Sequence, residues 1–169
     1  FQIGYDFDSL EARVEAAYCF QYDAQDKAYC NALVREKPFD VHTMLAKEIS
    51  LIIAREFGRS PAKNVKYGCT YGAQAAKVAK TIGDSIDVGQ QVFDAFWMAA
   101  FPLDMLKKAL QNEWERNGKK FIYGIDGRRV PTRSAHAILN SLFQSGGVIC
   151  AKRAMVIHDR MLKAEGLSV

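Results

Sequence analysis

The chain has 169 residues, of which 49% are hydrophobic and 25% charged, with only four prolines and 12 glycines. That balance is enough to bury one or two small cores, and it excludes disordered, collagen-like and low-complexity classes. No apolar run reaches the ~20 residues that span a bilayer, and no basic-then-apolar leader opens the chain, so no membrane partner is expected.

Phe1, Ile3, Tyr5 and Phe7 alternate with small or polar residues, which predicts a strand over residues 1–7. Asp8 or Ser9 can cap a helix carrying Leu10, Arg13, Val14, Ala17 and Tyr18 at helical spacing. A second helix is expected over 24–35, broken by Lys37-Pro38-Phe39-Asp40. A third runs from about Thr43 to Phe57 and stops at Gly58. Ser60-Pro61 reads as a capping hydroxyl followed by a first-turn proline, starting a helix that Gly72 ends. Further helices are expected over 73–81, over 87–99 and from Pro102 to Asn117-Gly118. Trp97 and Trp114 sit at helical spacing among apolar residues and read as core. Lys120 to Tyr123 and Arg128 to Pro131 flank Asp126-Gly127 and predict a β-hairpin. The stretch 134–165 is helical, expected to loosen at Gly146-Gly147. The fold class is therefore mainly α, with a short strand and a hairpin. A start at Phe1 without Met suggests a piece of a longer protein.

Cys19, Cys30, Cys69 and Cys150 form no C-x-x-C pair, which argues against a zinc ribbon and suits reduced thiols in a cytosolic setting. Charge is unevenly spread. Residues 1–58 carry ten acids and six bases, net −4, whereas 59–169 carry nine acids and 17 bases, net +8. An acidic start and a basic remainder suit a site that holds cations early and polyanions later; ordinary surface charge is the plain alternative.

The sharpest signal is Arg59, Lys63, Tyr67 and Tyr71, recurring every four residues. On a helix these share one face, two cations towards the amino end and two aromatics towards the carboxyl end. The amino end of a helix also favours anions. A ligand with a triphosphate at one end and a flat base at the other fits such a stripe. The plain alternative puts the tyrosines in the core and the cations in solvent. Lys66, off the stripe, is expected to matter little for nucleotide binding.

Further segments join this helix. They are Asp6-Phe7-Asp8-Ser9-Leu10-Glu11-Ala12-Arg13, then Asp40-Val41-His42-Thr43, Asp126-Gly127-Arg128, and Arg133-Ser134-Ala135-His136 continuing through Asn140 and Gln144 to Gly147. In this order they resemble the DNA polymerase I family (family A), most closely its bacteriophage replicative branch, over about residues 3–165.

The resemblance implies template-directed DNA synthesis, with dNTP and primer-template DNA as partners and replication accessory proteins as further ones. It implies two Mg2+ ions, held in part by Asp6 and the carbonyl of Phe7. Glu11 matches the gate that selects deoxyribose, and Arg13 a buried arginine supporting that corner. His42, Arg59 and Lys63 match residues that hold the triphosphate, and Tyr67 packs on the nucleotide. Tyr71 and Gly72 lie on the template side. Arg128, Arg133, His136, Asn140 and Gln144 match elements that follow the DNA. Asp6, Lys63 and Tyr67 are the expected catalytic set. Asp8 departs from the serine common in phage relatives, and His136 stands where bacterial members often carry arginine.

The implied layout is a palm element with the first catalytic motif over 1–40 and fingers over 41–118, including the nucleotide-binding helix 59–72. A template/primer-side hairpin and palm helix follow over 119–169. His158-Asp159 imitates the family's third motif but sits within a helical pattern, so it is rejected. The third motif, thumb and exonuclease are then missing, and the isolated chain is expected to be folded but inactive. The expected setting is the cytoplasm of a bacterial or phage-infected cell. Two rivals share some features: a single-subunit RNA polymerase piece, which Glu11 argues against, and a non-catalytic nucleic-acid-binding protein reusing the fold.

Overall fold

A computed structural model describes residues 6–24 and 26–167. The strand expected over residues 1–7 lies mostly outside the described residues. The described chain forms eight helices: α1 (Leu10–Cys19), α2 (Ala28–Val34), α3 (Val41–Ile52), α4 (Arg59–Thr70), α5 (Ala75–Ile82), α6 (Ile86–Ala99), α7 (Phe101–Arg116) and α8 (Ile138–Ala164). Between α7 and α8 lie β1 (Phe121–Tyr123), β2 (Arg129–Pro131) and a 3-10 turn over Ala135–Ala137.

Local chemistry sets most boundaries. Asp40 caps α3, its carboxylate accepting from Thr43 N–H at 3.0 Å. Ser85 caps α6 through Val88 N–H. The end of α4 is a Schellman closure. Ala73 N–H donates to Gly68 C=O at 2.8 Å and Gly72 N–H to Cys69 C=O at 3.0 Å, with Gly72 at φ +88°. The start of α4 differs from expectation. Gly58, in extended conformation, is its cap, and the helix begins at Arg59 rather than after Ser60. Ser9 precedes α1 in the left-handed region and makes no capping bond through its side chain.

The strands pair antiparallel in the register Phe121–Pro131, Ile122–Val130 and Tyr123–Arg129. Gly124 N–H donates to Arg128 C=O at 2.9 Å, so Ile125, Asp126 and Gly127 form a three-residue connection ending on left-handed Gly127. The hairpin is pinned to α7 by Trp114, whose indole N–H donates to Thr132 C=O at 2.9 Å.

One continuous core joins Leu45 and Ile49 of α3, Val65 and Cys69 of α4, Val92 and Phe96 of α6, and Leu103 of α7. It extends to Leu142 and Phe143 of α8. Trp114 is buried in it and Trp97 packs half-buried against it. All four cysteines are free thiols, and burial pushes Cys69 up to about 12, well away from thiolate reactivity.

α8 does not loosen at its glycine pair; it runs unbroken from Ile138 to Ala164. The glycines serve packing instead. A Cβ on Gly146 would meet Val14 Cγ1 of α1 at 2.7 Å, so the bare backbone is what lets α1 lie on α8. The last part of α8 exposes Met155, Val156, Ile157 and Met161. Asp159 sits on this exposed stretch, inside the continuous helix that the sequence pattern predicts there, and pairs with Lys163 one turn on at 2.9 Å.

Candidate functional site

α4 buries Ala62, Val65, Lys66, Cys69 and Thr70. Its opposite face carries the four-residue stripe. Tyr67 and Tyr71 are 45% and 47% exposed, so the alternative that placed them in the core does not hold. The stripe opens on a cavity of about 980 Å³ bounded also by the start of α1, the start of α3 and the middle of α8. Phe7, Glu11, His42, Arg59, Lys63, Tyr67, Tyr71 and Gln144, drawn from segments far apart in sequence, all line it.

At the cationic end, Arg59 pairs with Asp40, its Nε donating to Oδ1 at 3.2 Å and its Nη2 to Oδ2. Burial disfavours the Asp40 charge, but hydrogen bonds from Arg59 and from Thr43 outweigh it and hold the carboxyl well below its ordinary range. Lys63 stands one turn further along, its Nζ 5.9 Å from the Tyr67 ring centre. The His42 ring faces Tyr67 at 5.8 Å between centres. Burial, then Lys66, then Arg59 and Lys63, lower His42 to about 4 against the pull of Asp40, so the ring is neutral at pH 7.

At the aromatic end, three helices converge on one carboxylate. Tyr71 O–H donates to Glu11 Oε2 at 3.1 Å, and Gln144 Nε2 donates to Glu11 Oε1. Burial and the neighbouring Glu11 raise the Tyr71 hydroxyl above its ordinary value, so it stays protonated and donates. Beneath the stripe, Lys66 Nζ meets Glu15 Oε2 of α1 at 2.7 Å, and Tyr29 O–H of α2 donates to Glu15 Oε1 at 2.5 Å. The exposures of Glu15, Tyr29 and Lys66 are 2%, 3% and 4%.

This last group makes Lys66 a buried structural cation, a role that its place off the stripe did not reveal. No signal in the sequence marked Glu15 or Tyr29, because the contacts join Glu15 to residues 51 and 14 positions away on other helices. Asp40 was legible as a turn residue but not as the partner of Arg59. Arg13 is also corrected. It is exposed, not buried, and pairs with Asp8 at 3.4 Å.

Asp6 is exposed at the foot of the site, its Oδ1 accepting from Phe7 N–H at 2.8 Å. Gly72 lies directly against the His136 backbone, and Gln74 reaches the His136 ring. Arg128 pairs with Asp126 at 3.4 Å, and Arg133 is exposed. Asp6, Gly72, Arg128, Arg133, His136 and Asn140 lie outside the cavity lining.

A comparison with models of protein families returns no match. Individual relatives do match. The chain is 28% identical over 181 residues to the DNA-directed DNA polymerase of Escherichia phage T7, covering 98% of this chain and 24% of that protein. It is 28% identical over 183 residues to the corresponding polymerase of Enterobacteria phage T3, with the same coverage of each. It is 31% identical over 158 residues to the DNA polymerase of Mycobacterium phage L5, covering 91% of this chain and 24% of that one. The chain thus spans about a quarter of the length of the phage polymerases it matches. Among solved structures, the polymerase domain of Pol1 from M. smegmatis, in complex with DNA primer-template and dNTP, superimposes with a TM-score of 0.74. The match covers 96% of this chain and 30% of that one, at 20% identity. In fold this chain therefore matches part of that polymerase domain, and in sequence it is similar to phage DNA polymerases over nearly all of its own length.

Proposed function

We propose that the chain supplies the nucleotide-selecting part of a family A DNA polymerase, in which a primer 3′-hydroxyl attacks the α-phosphate of a paired dNTP and pyrophosphate leaves. Within it, residues 1–40 belong to the palm, 41–118 to the fingers, and 119–169 to a hairpin and palm helix along the DNA. The setting is the cytoplasm of a bacterial or phage-infected cell; among the described residues no helix is long and apolar enough to cross a membrane.

The observation that supports this most is the cavity itself, where Arg59, Lys63 and His42 gather at one end and Tyr67, Tyr71 and Glu11 at the other. Arg59 and Lys63 offer charge-assisted hydrogen bonds to phosphate oxygens. Neutral His42 donates one hydrogen bond without adding a third charge. Tyr67 and Tyr71 offer flat faces for sugar and base. Glu11 is held from two sides by Tyr71 and Gln144, and in this reading it would act as the gate that excludes a ribose 2′-hydroxyl. That bracketed carboxylate disfavours the reading as an RNA polymerase piece. The basic hairpin residues Arg128 and Arg133, with His136 and Asn140, would run beside primer-template DNA.

Divalent metal suits the foot of the site. Asp6 and Asp8 place two hard carboxylates two residues apart, and Asp6 is exposed. Asp6 and the Phe7 carbonyl would hold Mg2+, which supplies charge neutralisation and activates the attacking hydroxyl. Among the described residues no group of three or more potential ligands converges; in this reading the chain would supply part of the centre.

The test is nucleotide binding by the chain. Lys63→Ala removes one charge-assisted contact of roughly 1.5–3 kcal/mol, which is about a 10- to 150-fold loss of dNTP affinity. Unchanged affinity in a titration would remove the triphosphate assignment.

A further inference from the structure

We propose that Glu15 and Lys66 are positioning residues for sugar selection: their buried ion pair sets the height of α4 against α1, and so the place of Glu11 beside the stripe. The inference rests on the nucleotide-site reading above.

Glu15 follows Glu11 by one helical turn on α1, so both point from the same side of that helix. Lys66 precedes Tyr67 on α4. The two helices are therefore tied twice along the same seam. The inner tie is Glu15 to Lys66 at 2.7 Å, completed by the Tyr29 hydroxyl. The outer tie is Tyr71 to Glu11 at 3.1 Å, in the cavity wall.

The two ties differ in strength. The outer one joins exposed groups that compete with water, and such contacts hold geometry poorly. The inner one is closed from solvent. Its two charges have given up hydration, and the carboxylate uses both oxygens, one for the ammonium and one for the phenol. A buried pair of this kind adds little net stability over an apolar filling of equal volume. What it does add is direction: charge, distance and hydrogen-bond angle all fix one separation of α1 and α4. Tyr29 extends the tie to α2, so three helices share one carboxylate. Lys66 cannot serve as a phosphate ligand while so engaged. Its Nζ is also 6.0 Å from the Tyr67 ring, in the wall of the same cavity that Lys63 and Arg59 line.

Displacing this tie shifts Glu11 relative to Tyr67 and Tyr71 while leaving Arg59 and Lys63 on their own face. Recognition of the sugar should change and recognition of the triphosphate should not.

The experiment titrates the chain with a dNTP and the matching rNTP. The variants are Glu15→Gln/Lys66→Met, Tyr29→Phe, Lys66→Arg and, as a control on the site, Lys63→Ala. The double variant removes both charges together and keeps a hydrogen-bond partner for Tyr29. It should bind dNTP within about twofold of the parent, yet lose about three- to tenfold of its deoxy-over-ribo preference, the lower range of coupling within one network. Tyr29→Phe should move the preference the same way by less, and Lys66→Arg should retain it. An unchanged preference in the folded double variant overturns the proposal. If the double variant does not fold, an unchanged preference in Tyr29→Phe overturns it. Failure of Lys63→Ala to weaken binding, or absence of any sugar preference in the parent chain, overturns the nucleotide-site reading and this inference with it.

Discussion

Asp40 binds the guanidinium of Arg59 while its own carboxylate caps α3. One residue thereby fixes where α3 begins and where the first cation of the α4 stripe points. The fork is bidentate, Nε to Oδ1 and Nη2 to Oδ2, a geometry that lysine could not copy. Arg59 is thus held ready at the cavity mouth, with an anion standing where phosphate oxygens would compete.

Replacing Asp40 separates its two tasks. Asparagine is as good a cap as aspartate, so Asp40→Asn should cost little helix stability, whereas Asp40→Ala should lose about 0.5–2 kcal/mol as the cap disappears. Both changes release Arg59. Chemical denaturation gives the stabilities, and dNTP titration should show tighter binding in Asp40→Asn because a competing negative charge is gone. Weaker binding there would mean that the hold of Asp40 on Arg59 matters more than its competition with phosphate.

The acid side of the stability profile follows from His42 and Asp40. His42 is lowered to about 4 in the fold, from an ordinary 6.5, mainly by burial and then by Lys66. Below pH 6.5 the unfolded chain takes up a proton that the folded ring resists, so stability falls as pH drops from about 6.5 towards 4. Asp40 is depressed in the fold, so its contribution is complete above the ordinary carboxylate range and is lost only below it. Denaturation at stepped pH should show two limbs. His42→Gln should flatten the upper one and Asp40→Asn the lower one.

Gly146 and Gly147 are neighbours with opposite expected responses to alanine. A Cβ at 146 would meet Val14 Cγ1 at 2.7 Å, whereas one at 147 would meet Leu10 Cδ2 at an ordinary 3.5 Å. Val14 is β-branched and buried, so it cannot swing aside. Gly146→Ala should destabilise by about 1–3 kcal/mol through overpacking. Gly147→Ala should be neutral or stabilise by about 0.5–1 kcal/mol, since alanine favours the helix. Thermal melts of the pair decide it, and equal shifts would contradict the α1–α8 packing.

Lys63 and Lys66 lie three residues apart and should behave oppositely. Lys66→Ala leaves Glu15 charged, buried and short of a partner, which costs roughly 3–5 kcal/mol. Lys63→Ala removes an exposed cation and should leave stability within about 0.5 kcal/mol while weakening dNTP binding. Melting and titration of both variants check the crossover.

DNA binding by the chain should be electrostatic. The net +8 of residues 59–169 supports non-specific affinity of roughly 10⁻⁴–10⁻⁶ M at physiological salt, falling steeply as salt rises. Fluorescence anisotropy at several ionic strengths measures the slope. Salt-insensitive binding would shift the contact from phosphates to bases.

What the sequence determined by itself is local or periodic. Gly72 and the hairpin around Asp126-Gly127 stand where the chain needs left-handed backbone or a tight connection. The recurrence of Arg59, Lys63, Tyr67 and Tyr71 needs only the pitch of a helix to become a face. The order of the motifs carried the likeness to phage polymerases without any coordinates. Tertiary structure decided the rest, because burial is not a local property. Glu15 on α1 and Lys66 on α4 are ordinary helix residues until the fold brings positions 51 apart in the chain together and excludes water. Gly146 looks like a helix breaker until Val14 fills the space a side chain would need. Desolvation and close approach turn such residues into structural ones, and both depend on which helices meet.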